Sequence, residues 1–168
     1  TDTDTDTDSD SDTDTGSPGE MTIATYNIED FNFGGQGPGQ HANVAAFAKD
    51  YQLDVLVFEE ITIEDEAAFT SALTTAGYPM EYHSVSSLSD DYNAIGVWST
   101  FPLVSVEEVL EQNTRTVYRI EIEVGSGGEI VWFYGCHLKS GDDDDSLDQR
   151  KTEAQRIESY VLGQHDPF

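Results

Sequence analysis

The 168-residue chain has one cysteine, Cys136, so no intrachain disulfide can contribute to its stability. Positive charge is scarce: 7 Lys and Arg stand against 34 Asp and Glu, for a net charge of −27. A surface so acidic repels polyanions at long range, which argues against a passive DNA-binding module with a basic face. No apolar run is long enough to cross a membrane. What is present suits a folded domain, with 37% apolar and 11% aromatic residues. The chain does not open on methionine and is read as a fragment of a longer protein.

Residues 1–20 form a separate region. TDTDTDTDSDSDTDT alternates small polar and acidic residues with nothing to bury, as expected of an extended, self-repelling linker. Weak Ca²⁺ binding by these aspartates is the minority reading, because the turn glycines of a Ca²⁺ loop are missing. These 20 residues hold eight acids and no bases, which leaves 26 acids (34 less 8) against 7 bases in residues 21–168, or −19. The folded part is acidic in its own right. Such a tether and surface fit a secreted or surface-held protein in a saline setting, expected to be monomeric.

The pattern from Met21 onward alternates strand and helix, then turns to strands. Met21–Asn27 is β-prone and ends on an amide, followed by Glu29, Asp30, Asn32 and the glycine-rich loop FGGQGPGQ. That loop matches no phosphate-binding fingerprint and reads as a connection. Helical spacing covers Ala42–Tyr51, and Leu53–Phe58 is a short apolar strand running into Glu59-Glu60. A second helix, Ile63–Ala76, has acids in its first turn and stops at Gly77. Strands are expected at Pro79–Val85, Ala94–Trp98 and Leu103–Leu110. In the next one Tyr118, Ile120, Ile122 and Val124 face one way, and Arg119, Glu121 and Glu123 the other.

After the turn at residues 125–128 comes VWFYGCHLKSG (131–141), an apolar run that changes abruptly at His137. It predicts a central strand buried on both faces, with Trp132 in the core and Cys136 as a small core residue facing away from His137. Trp98 is likewise a core residue. A last helix, capped by Ser146 or Asp148 and running to about Leu162, turns Ala154, Ile157 and Val161 inward. The four aspartates 142–145 read as a solvated loop. His41, His83 and His165 read as structural or exposed.

Three strands thus end in polar groups: Asn27, Glu59-Glu60 and His137. Brought to one edge, an amide oxygen, a carboxylate and an imidazole suit a hard cation and a phosphate, since Mg²⁺ takes one or two carboxylates and keeps waters for phosphate oxygens. TYNIEDFN, DVLVFEEI, GVWSTFPL and GCHLKSG, with Arg150 and a helix after it, occur in this order over residues 21–162. Together they resemble the first half of the endonuclease/exonuclease/phosphatase family, the DNase I-like fold. The resemblance implies an α/β (α+β) domain over residues 21–168, the N-terminal part of a four-layer sandwich of two packed β-sheets flanked by helices. It also implies metal-dependent phosphoester hydrolysis.

Carried onto this sequence, the resemblance assigns Asn27 and Glu60 to the metal site and Asn27 and His137 to catalysis, with Glu59 standing where glutamine is usual. Arg115 and Lys139 are candidates for the substrate phosphate. Mg²⁺ is the expected ion, with Mn²⁺ or Ca²⁺ as alternatives. Two family features are missing: a GD-x-N motif and a final Asp-His pair whose histidine is the general base. The expected function is extracellular phosphodiester hydrolysis on nucleic acid, in a fragment inactive by itself. A phosphatase or sphingomyelinase-type lipid phosphodiesterase is the alternative within the enzyme class. Outside it stands a non-catalytic, acidic, cation-binding module. An unfinished sandwich exposes apolar faces and edges, so residues 21–168 are expected to be poorly stable alone.

Overall fold

In a computed structural model of the protein, the apolar run before Glu59 lies in the middle of a sheet. The structure describes residues 20–29, 37–87, 94–112, 115–125 and 127–165. The acidic linker, Asp30, Asn32 and residues 33–36 of the glycine-rich loop lie outside these residues, and residues 37–40 of that loop are the start of a helix, not the irregular connection expected.

Strand β1 (Ile23–Asn27) leads through helix α1 (Gly37–Asp50) to β2 (Val55–Ile61), which pairs with β1 in parallel, Asn27 opposite Glu59. A parallel neighbour needs a crossover of this kind. Helix α2 (Asp65–Ala76) follows, then β3 (Tyr82–Val85) and β4 (Ala94–Ser99). β4 runs antiparallel between β2 and β3, giving a four-stranded sheet in the order β1-β2-β4-β3. The second sheet is a meander of β5 (Leu103–Gln112), β6 (Arg115–Val124) and β7 (Glu129–Cys136), and α3 (Asp144–His165) closes the described chain.

Alternation sorts the side chains into two cores. Leu56 and Phe58 of β2 join α1 and α2 in a core around Phe58, Phe69 and Trp98, whose rings meet edge to face at 5.0–5.4 Å. Val55 and Val57 turn the other way, towards Tyr118, Ile120 and Ile122 of the second sheet. On the far side of that sheet, Arg119 bonds Glu107 and Glu121 and donates to Tyr160 of α3, and Tyr134 packs against Tyr160. The layers run helices, sheet, sheet, helix, as the sequence leads one to expect.

Gly135 sets how closely the sheets approach. A Cβ there would lie 2.9 Å from Ile95 Cγ2 and 3.4 Å from Val57 Cγ1. α2 ends at Gly77 in the left-handed region, its N–H on Leu73 and Thr74, while Lys49 donates to the carbonyl of Ala76 at 2.7 Å. Asp65 lies in the first turn of α2, as expected of an acid favouring the helix dipole, and is also buried, taking 2.6 Å and 3.0 Å bonds from Thr62 Oγ1 and His41 Nε2.

Several expectations are corrected. Among the described strands β7 is an edge and β6 is the centre of its sheet. Trp132 is therefore 46% exposed on the outer face, not in the core. An uninterrupted apolar run carries no period to tell an edge from a centre. Cys136, near the end of that edge, is half-buried and not a core residue. In α3 the inward position is Glu153, and Ala154 is exposed. That helix is capped by Asp143, which accepts from the Ser146 N–H at 2.9 Å; Ser146 lies inside the first turn.

Candidate active site

The parallel pairing of β1 and β2 brings Asn27 and Glu59-Glu60 to the same end of the first sheet. β7 ends at Cys136, so His137 follows at the rim of the second sheet. The two rims meet in a 3.0 Å contact between His137 Nε2 and Glu60 Oε1. The imidazole is 8% exposed and the Glu60 side chain 24%, so the pair is anchored on the inside and open on the carboxylate side.

The reach of Glu60 comes from an irregularity in β2. The register against β4 shifts between Glu59 and Ile61, and Glu60 has φ of +58°, in the left-handed region. The extra residue breaks the alternation of the strand, so Glu60 does not continue the face of Phe58 and can aim at His137. A carboxylate-bearing residue held at positive φ is a costly conformation, of the sort that clusters at functional sites. Glu59 keeps its place in the ladder opposite Asn27, and the N–H of Ile28 donates to its carbonyl at 3.0 Å. The side-chain oxygen of Asn27 accepts from the Glu29 N–H at 3.1 Å, which folds the chain over as it leaves β1.

Negative charge is concentrated here. Burial raises the Glu59 pKa, and the adjacent Glu60 raises it further. The Cys136 thiol is pushed up by burial, then by Glu59 and Glu153. Such a rim favours a cation. The donor set also fits a hard divalent ion, with Glu60 partly open to solvent, Glu59 beside it and the Asn27 amide exposed across the ladder. Among the described residues no three His, Cys, Asp or Glu side chains form a closed metal cage. An open, water-rich Mg²⁺-type site does not require one.

The other candidates divide. Arg115 opens β6 two residues before Val117, the partner of Cys136, so its backbone stands at the His137 end of the sheet. Its side chain lies outside the described residues. Lys139 is two residues beyond His137, and its backbone is tied to α3 by bonds to Glu153 and Arg150. Its ammonium is not joined to Glu60 or His137. The charge acts on Asp143, whose pKa is lowered mainly by hydrogen bonds from Ser146 and least by Lys139.

Sequence reasoning missed the inward placing of Glu153. The signal available was the Gln149, Arg150, Glu153 spacing on one helix face directly after HLKSG. A groove of about 700 Å³ between α1 and α2, lined by small residues such as Ala42, Ala46, Ala68 and Ala72, includes neither Glu60 nor His137.

Comparison with known proteins agrees with this fold. TDP2 from C. elegans superposes with a TM-score of 0.67 at 20% identity, over 86% of this chain and 44% of that one. The mannosyl-6-phosphatase Bt3783 of Bacteroides thetaiotaomicron gives 0.63 at 15% identity, over 85% and 60%. TDP2 of D. rerio complexed with single strand DNA product gives 0.60 at 16% identity, over 88% and 56%. The chain therefore spans about half the length of these structures. No curated protein sequence matches it. Residues 24–165 match the model of the Endonuclease/Exonuclease/phosphatase family, and the chain belongs to that family.

Proposed function

We propose that the protein carrying this chain hydrolyses phosphodiesters with the help of a divalent cation, and that it acts outside the cell as a nuclease. The observation that carries this reading is the Glu60–His137 pair, formed at 3.0 Å where the ends of two sheets meet beside Asn27 and Glu59. Glu60 and Asn27 would hold Mg²⁺, with Mn²⁺ or Ca²⁺ as substitutes. When bound, the ion supplies Lewis-acid polarisation of a phosphoryl oxygen. The carboxylate of Glu60 also holds the His137 ring at the rim of the site through its Nε2. Arg115 and Lys139 would approach the phosphate from the same end of the second sheet.

Two observations support the setting. The acidic tether and the −19 of residues 21–168 suit a soluble surface in a saline, cation-rich medium. The sequence offers no basic face for passive attachment to DNA, so a nucleic acid substrate would be held at the cation site rather than by the surface. A monoester phosphatase is the second reading, supported by the mannosyl-6-phosphatase among the structural neighbours.

Neither the GD-x-N motif nor the Asp-His pair occurs in these 168 residues, so the test uses the full-length protein. Plasmid DNA, single-stranded DNA, sphingomyelin, inositol phosphates and a sugar phosphate are offered with Mg²⁺ at several salt concentrations. Cleavage of DNA that quickens as added salt screens the acidic surface supports the nuclease. Turnover of monoesters alone supports the phosphatase. Cation binding with no hydrolysis of any substrate leaves the non-catalytic module.

A further inference from the structure

The segment after His137 is bound to α3 at Lys139 and Gly141, and the bonds come from side chains that the chemistry above does not use. Glu153 is 5% exposed, yet it is a carboxylate. One of its oxygens accepts the Lys139 N–H at 2.9 Å and the other accepts Gln149 Nε2 at 3.0 Å. From the preceding turn of the helix, Arg150 Nη1 donates to the carbonyls of Lys139 at 2.9 Å and Gly141 at 2.5 Å. Lys139 is thereby held at both its N–H and its C=O. The far end of the segment is fixed too. Gly141 has φ of +115° and lies so close to the buried Ser146 that a Cβ would come within 2.6 Å of its Oγ.

Burying a carboxylate is costly unless its oxygens are bonded, and bonds to a charged group are the strong ones. A solvated surface loop needs no such investment. Because Lys139 is only two residues from His137, the anchorage also limits where the imidazole can sit at the rim.

We propose that Glu153 and Arg150 are positioning residues: as a clamp on Lys139 and Gly141 they hold the His137–Gly141 segment, and with it the imidazole against Glu60, in the reactive arrangement. The effect of the clamp on turnover rests on the phosphodiesterase reading above. The clamp itself does not, and the test separates the two.

In full-length protein, Arg150→Ala, Glu153→Ala and Glu153→Gln are compared with Lys151→Ala, which removes a neighbouring exposed charge from the same helix. Glutamine keeps an acceptor for the Lys139 N–H, and Gln149 can turn its own amide to match. Hydrogen exchange is read on peptides spanning 137–142 and on the later half of α3, alongside kcat and KM for a phosphodiester with Mg²⁺. The two alanine variants are expected to lose protection over 137–142 while the later half of α3 keeps it. Their kcat should fall about 10- to 100-fold with KM little changed. Glu153→Gln should recover most of both, and Lys151→Ala should behave as wild type.

Lost protection with unchanged kcat would overturn the positioning role while leaving the enzyme reading intact. Protection unchanged in Arg150→Ala and Glu153→Ala would overturn the clamp whatever the activity. If the unmodified protein hydrolyses no phosphoester, the enzyme reading fails, and the exchange measurement still decides whether the clamp exists.

Discussion

Glu60 should be easier to replace by glycine than by alanine, the reverse of what a strand normally tolerates. In regular strand or helix, glycine is worse than alanine by about 0.5–1 kcal/mol because it loses more conformational freedom on folding. At φ of +58° the balance changes. A residue with a Cβ is disfavoured there by about 1–2 kcal/mol, which exceeds the entropic cost of glycine. Both substitutions remove the same 3.0 Å contact with His137, so that loss cancels in the comparison. Glu60→Gly should therefore be more stable than Glu60→Ala by about 1 kcal/mol, worth roughly 2–4 °C in Tm for a domain of 150–250 residues. The assay is thermal unfolding of the two variants side by side in the full-length protein, with urea unfolding as a check that the transitions stay two-state. Equal stability, or alanine ahead, would show that Glu60 is not held in the left-handed region. The bulge would then be the wrong explanation of how its carboxylate reaches His137.

Two further outcomes follow from the packing and the charge at the rim. Gly135→Ala places a Cβ 2.9 Å from Ile95 Cγ2 and should cost about 1–3 kcal/mol in urea unfolding, with a loss of hydrolysis because His137 is only two residues away; unchanged stability would mean that the sheets do not close at this point. The Cys136 pKa is raised by burial, Glu59 and Glu153, so less thiolate is present at any given pH than in a free cysteine. Alkylation by iodoacetamide should be slow at neutral pH and still climbing above the ordinary thiol pKa of about 8.5, and a rate that levels off below that value would contradict the burial.

Much of this architecture is legible in the residues. The inward set Tyr118, Ile120 and Ile122 is pure alternation, and it packs between the sheets as that period requires. Asn27, Glu59-Glu60 and His137 are strand ends marked by a sudden change from apolar to polar; strand pairing joins the first two, and the packing of the two sheets brings His137 to Glu60. What stays hidden depends on partners distant in sequence. Trp132 looks like core because nothing in VWFYGC distinguishes an edge strand from a central one; its exposure follows from β7 lying at the edge of β5-β6-β7. Glu153 looks like an exposed helix acid, and only the Lys139 N–H across the loop explains why it is the inward residue. The left-handed backbone of Glu60 has no sequence mark either. It arises where the ladder to β4 slips between Glu59 and Ile61.

The central claim is that Glu60, where the two sheets meet, holds the cation that serves phosphoester hydrolysis. It is tested most directly by the turnover of full-length Glu60→Ala on a generic phosphodiester at saturating Mg²⁺, beside the unmodified protein and with folding checked by circular dichroism. The expected result is a folded variant whose rate has fallen by orders of magnitude. A folded variant that turns over at the unmodified rate would contradict it.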